Sequence, residues 1–243
     1  MSLTLSFLDR QNTSLLRDFT DPQNCLIAMN LEVLDWKKRL HGWTVEYFPK
    51  YRPTSAFVLW KSTSGTPECW VRWDYQNYRY VFQKFLQIYY PEFENVLNED
   101  THVDHMAPKT RFTSHLSKGA QYFIRVHLVQ KKINTGFGAG YEHSFYQTER
   151  TKSLPNALHM SWISYCKARG IRLPGKTARE SEWESWASAQ AAEFSASTGE
   201  SEAYAYVGFL SVLQLGYTGY YAGEAGGIDV NDLAKQFKNR KLP

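Results

Sequence analysis

The sequence predicts an α+β fold: a small antiparallel sheet with flanking helices, a β-hairpin running into a helix in the middle of the chain, and a helical C-terminal third. Three observations predict it. Between residues 43 and 74, three short segments rich in Val, Thr, Phe, Tyr and Trp are separated by residues of turn composition. Around residue 125, apolar and polar side chains alternate with the period of a strand. From Pro155 onward the apolar residues recur at helical spacing. With 43% apolar residues over 243 positions and no long low-complexity linker, one domain over residues 1–243 is expected, divided into an α+β part at 1–100, a middle at 101–152 and a helical part at 153–243.

In chain order, Asp21 suits a helix cap and Pro22 its first turn. Leu26, Ile27, Val33 and Leu34 follow with mostly helical spacing, and Gly42 is the natural stop. Trp43 to Phe48, Ser55 to Trp60 and Glu68 to Asp74 read as a three-stranded antiparallel meander, with Lys61 to Pro67 as a hairpin turn. Tyr78 to Tyr90 places Val81, Phe82, Phe85 and Leu86 on one helical stripe, which Pro91 closes. Thr101 to Met106 reads as extended, and Gln121 to Val129 as a strand whose apolar face is Tyr122, Ile124, Val126 and Leu128. Arg125 and His127 would then point away from the core. Thr135 to Gly140 reads as a loop, because three glycines would each cost a helix about 1 kcal/mol. Tyr141 to Lys152 reads as a helix, and Pro155 opens another that Gly170 ends. Thr177 and Glu180 suggest a capping box before Trp183.

Composition narrows the function classes. Three widely spaced cysteines without a CxxC pair predict a reducing compartment, with neither a disulfide framework nor a structural zinc. The N-terminus lacks the basic and apolar regions of a signal peptide, so a cytoplasmic location is expected. The uncharged run from Ala203 to Gly223 is long enough to span a bilayer, but its glycines and tyrosines favour a buried helix followed by a turn, and no membrane partner is expected. Aromatic residues make up 16% of the chain. Such rings suit stacking on bases or sugars, although core packing accounts for most of them. There is no P-loop, no dinucleotide fingerprint and no signature context for a Ser or Cys nucleophile.

The chemistry concentrates between Thr101 and Lys152. That window holds five of the seven histidines, and its eight Lys or Arg against three acids leave it at +5; the whole chain is +4, so the remainder sums to −1. A basic, imidazole-rich window suits a polyanionic partner. Within it stands Val103-Asp104-His105-Met106-Ala107-Pro108-Lys109, followed by a predicted strand and then Asn134, 29 residues after His105. Glu142 and His143 lie eight and nine residues beyond Asn134.

This stretch of about 50 residues resembles the His-Me finger (ββα-metal) nucleases, the group of the HNH and the non-specific DNA/RNA endonucleases. His-Met-Ala-Pro and the Asn-to-Glu spacing are similar to the non-specific enzymes; Asp-His and the Asn-to-His spacing are similar to HNH enzymes. Val103 and Asp104 stand where the non-specific enzymes carry Arg-Gly, and a Gly-rich segment stands where a helix normally continues. The resemblance implies a Mg²⁺- or Mn²⁺-dependent endonuclease acting on DNA or RNA, with His105 as general base. Asp104 and Asn134, with Glu142 or His143, would be the metal ligands, and His105 and Asn134 would face one cation. Lys109, Arg111, Arg125, Lys131 and Lys132 would then hold the phosphodiester backbone, and the Gly136 to Gly140 loop could offer backbone donors to a phosphate. Nucleic acid, DNA first, is the expected partner. The competing class is a non-catalytic nucleic-acid-binding or inhibitory interaction protein of a mobile element or bacterial competition system, with a protein partner. A zinc site from His102, His105, His127 and His143 lacks both Cys partners and an HxxxH spacing.

Overall fold

The computed structural model describes residues 3–21, 25–40, 42–61, 65–137, 153–174 and 178–220. Its centre is a curled antiparallel sheet of seven strands: β1 (Leu26–Asn30), β2 (Trp43–Tyr47), β3 (Ala56–Lys61), β4 (Glu68–Arg72), β5 (Thr101–His105), β6 (Tyr122–Gln130) and β7 (Ala157–His159). The order is β2-β3-β4-β6-β1-β7, with β5 also paired to β6. Around it lie α1 (Leu3–Thr20), α2 (Leu31–Arg39), α3 (Tyr78–Tyr89), the short α4 (Thr110–Thr113) and α5 (Lys131–Gly136). α6 (Trp162–Arg169), α7 (Glu180–Thr198) and α8 (Glu202–Tyr220) complete the set.

β6 organises the sheet because, at nine residues, it is long enough to serve several neighbours. Ile124 pairs with Val71 of β4 on one edge and Ala28 of β1 on the other. Two residues on, Val126 pairs with Cys69 of β4 and His105 of β5. β1 and β5 therefore lie end to end along the same edge of β6. Where β4 runs out, α1 takes over the opposite edge: Leu128 N donates to Gln11 Oε1 at 2.9 Å, and Gln11 Nε2 donates to Leu128 O at 2.8 Å. A side-chain amide thus does there what a neighbouring strand would do, satisfying both backbone groups.

Both faces of β6 are covered. Val126 and Leu128 pack with Val103 against Val81, Phe82, Phe85 and Leu86 of α3. On the other face, Phe123 joins Met29, Leu34, Phe57 and Trp70 beneath α2. All residues from Tyr122 to Val129 are buried, including Arg125 and His127. The expectation that those two point away from the core fails for this reason: the sheet has no solvated face at β6.

The meander, the helix at Tyr78 and the Thr101 strand lie where the sequence places them. The predicted helix from Asp21 begins later, because Leu26 to Met29 is a continuous apolar run that becomes a strand between β6 and β7. Asn30 then caps α2, its side chain accepting from Val33 N at 3.0 Å. Likewise Pro155 does not open a helix: Ala157–His159 pairs with β1 first, and α6 starts after the Ser161 cap. Gly170, at φ +70°, ends α6 as expected. α7 starts at Glu180, with Glu182 Oε2 accepting from Arg179 N at 2.6 Å; Thr177 lies outside the described residues. α5 continues through Thr135 and Gly136, where a loop was expected. The predicted helix from Tyr141 to Lys152 lies outside the described residues, as does most of the Gly136 to Gly140 stretch.

α7 and α8 pack against each other and against α1 and α6, around Phe19, Trp162, Tyr165, Phe194 and Phe209. The approach at Gly208 is close: a Cβ there would fall inside the Trp162 indole. Among the described residues, no helix is long and apolar enough to cross a membrane.

Candidate functional site

The chain order β5, β6, α5 has the outline of the predicted hairpin and helix. Its side chains, however, go to separate places. The β5–β6 register runs unbroken from Thr101↔Gln130 to His105↔Val126, so successive β5 residues alternate faces. Thr101, Val103 and His105 are buried on one face; His102 and Asp104 are half-buried on the other.

His105 is 5% exposed, and its ring lies 4.3 Å from that of Tyr78, between the centroids. Among the described residues its Nε2 has no hydrogen-bond partner. Burial, helped by the neighbouring Lys109 ammonium, pushes its pKa down to about 3. The imidazole is therefore neutral and held away from water. Lys109 lies over the ring of the same tyrosine, its Nζ 4.9 Å from the Tyr78 centroid, and partial burial lowers its pKa as well.

Across the strand, Asp104 Oδ2 meets Lys167 Nζ of α6 at 2.5 Å. Burial pushes the carboxyl up, but Lys167 and His127 outweigh it and hold the group below its usual pKa. His127 stands directly opposite Asp104 in the register, is 3% exposed, and among the described residues has neither ring nitrogen in a well-formed hydrogen bond. Burial lowers its pKa to about 4, with Asp104 opposing. One strand end away, Asn134 Nδ2 donates to His102 Nδ1 at 3.1 Å, which leaves the proton of a neutral imidazole on Nε2. Since 102 and 105 differ by an odd number of residues, Asn134 and His105 serve opposite faces of β5.

The expected phosphate contacts also separate. Arg125 is a correction: it is 5% exposed, with Nη2 2.9 Å from Asp18 Oδ2 and Nη1 3.0 Å from Glu68 Oε1, and it cannot reach a backbone outside. Burial drives Glu68 upward from the usual carboxylate range against the pull of Arg125. Arg111 is half-buried, and Lys131 and Lys132 are exposed on the first turn of α5. Glu142 and His143 lie outside the described residues.

A hard divalent cation wants several oxygen ligands converging on one point. Among the described residues, no group of three or more His, Cys, Asp or Glu could hold one. Asp104 is committed to Lys167, Asn134 to His102, and His105 faces the other way, so these three residues do not converge on one point. The partners that decide this were not singled out from the sequence. Lys167 lies in Trp162–Arg169, a helix buried around most of its circumference, and Asp18 lies in a helix that carries no acidic residue in its first turn. Tyr78 opens a recognisable helix, yet nothing in its spacing links it to His105.

Comparison with known protein families, with curated proteins and with solved structures finds no match.

Proposed function

We propose that the protein binds nucleic acid without cleaving it. One observation carries the reading: Asp104, Asn134 and His105 are consumed by internal contacts on opposite faces of β5, while Lys118, Lys131 and Lys132 near it are exposed. Lys118, Lys131 and Lys132 are exposed, and these three and Lys109 have no ion pair among the described residues. Cations without acid partners suit a phosphate backbone, whose condensed counterions they release on binding.

The test is binding of labelled DNA and RNA across a salt series. Affinity should fall by about 0.9 log units per log unit of salt for each duplex phosphate contact, and Lys131→Glu with Lys132→Glu should lower it for all sequences alike. Binding that ignores salt, or no binding at low ionic strength, would sink the proposal. Hydrolysis would re-enter through one result: divalent-metal-dependent cleavage that a folded His105→Ala protein has lost.

A further inference from the structure

We infer that the ring-and-cation surface on the first half of α3 is a stacking platform for single-stranded nucleic acid. The inference rests on the proposed nucleic-acid binding and adds to it the form of the strand and the place where it lies.

Tyr80 is 53% exposed at the start of α3. An isolated exposed ring would need no explanation. This one is part of a group. The Tyr51 ring lies 6.4 Å away, brought in by the loop after β2, and the Tyr75 and Tyr80 hydroxyls are close enough to Tyr51 to raise its pKa, after partial burial. Lys84, one turn along α3, holds its ammonium 5.4 Å from the Tyr80 centroid. The Tyr80 ring is therefore accompanied by positive charge. Tyr78, two residues earlier and so on another side of α3, holds a separate ring and cation group with His105 and Lys109 and is not part of this surface.

The acids nearby are already taken. α3 itself contains none. Glu46 accepts from Trp60 and Tyr89, and Asp74 accepts from Arg72 and from Gly119 N. Arg79, exposed between Tyr78 and Tyr80, has no ion pair among the described residues. An exposed ring beside Lys84 and Arg79 matches what an unpaired strand presents, a base π-face joined to phosphates. A duplex hides its base faces within its own stack and has none to offer the Tyr80 ring.

The experiment is fluorescence anisotropy with the full-length protein. The probes are one labelled mixed-sequence 20-mer as a single strand and the same 20-mer annealed to its complement, at one low salt concentration. The variants are Tyr80→Ala, Tyr80→Phe and the Lys131→Glu/Lys132→Glu pair, each checked for an unchanged melting temperature. The single strand should bind more tightly than the duplex. Tyr80→Ala should weaken single-strand binding by about tenfold, in the range of one stacked base, and leave the duplex nearly unchanged. Tyr80→Phe should retain the affinity, because stacking needs the ring and not the hydroxyl. Equal or tighter duplex binding, or a Tyr80→Ala protein that binds the single strand as before, overturns this inference while the broader proposal stands on the Lys131 and Lys132 variants. Failure of both probes to bind overturns both.

Discussion

Asp104 and His105 are neighbours in the chain and lie back to back across β5, one carboxylate on the Lys167 ammonium and one imidazole on the Tyr78 ring. A strand makes this the default, since consecutive side chains leave opposite faces. Joining the two at one cation would take a bulge, and the unbroken β5–β6 register leaves no place for one.

The Asp104–Lys167 pair should contribute to the stability of the fold. Lys167 is 4% exposed at its side chain and Asp104 20%, so removing either partner breaks an ion pair in a largely dry site. Asp104→Asn or Lys167→Met should destabilise the fold toward the low end of about 3–5 kcal/mol, because water reaches part of Asp104. The double variant Asp104→Leu/Lys167→Met should recover much of the loss. Urea unfolding of the three proteins measures it, and singles as stable as wild type would show that the pair contributes nothing.

Acid should destabilise the protein through its buried histidines. The folded pKa values of His105 and His127 are depressed to about 3 and about 4, against about 6.5 when unfolded. Between those limits the unfolded chain binds more protons than the native one, so stability is fully present above about pH 6.5 and is lost as pH falls toward 4. Buried Glu68, shifted upward, acts in the opposite sense over part of the range, because there the native state holds the extra proton. Replacing His105 by Asn isolates the histidine contribution. The urea midpoint of His105→Asn should fall less steeply from pH 7 to pH 5 than that of wild type; parallel profiles would show that folding does not depress the His105 pKa.

Gln11 should matter more than its place on a surface helix implies. Gln11→Ala leaves the N–H and C=O of Leu128 without partners at the end of β4, an expected loss of about 1–3 kcal/mol. Hydrogen exchange at the Leu128 amide should quicken with the substitution. An unchanged exchange rate would mean that water or a neighbouring strand satisfies that edge.

At Gly208 the constraint is space. Gly208→Ala would drive a methyl into the Trp162 ring and should cost about 1–3 kcal/mol or more by overpacking, although alanine is the better helix former. A thermal melt decides it, and a raised melting temperature would place Trp162 elsewhere.

Local signals carried the elements with one clear period. The meander from Trp43 to Arg72, the amphipathic α3 and the β5–β6 pair were legible because their turns and stripes act within a few residues. Cys25 to Met29 was not legible, since an apolar run buried on both faces has no periodicity to separate strand from helix. The site was less legible than the fold. Alternation along β6 identified Arg125 and His127 as one face, but whether that face meets water depends on α1 and α6, more than 30 residues distant in the chain. The charge count of the 101–152 window had the same weakness: it included Arg125, whose charge is cancelled by Asp18 and Glu68, and Asp104, which is cancelled by Lys167. Pairings over such separations leave no trace in spacing.

Binding without cutting is tested by incubating a labelled single-stranded DNA with the protein in Mg²⁺ or Mn²⁺ and resolving the DNA on a denaturing gel after anisotropy has shown it bound. The predicted result is full-length DNA at every time point, from wild type and from His105→Ala alike, with affinity that declines as salt rises. Shortened products that require the metal, appear with wild type and vanish in a folded His105→Ala protein would contradict it.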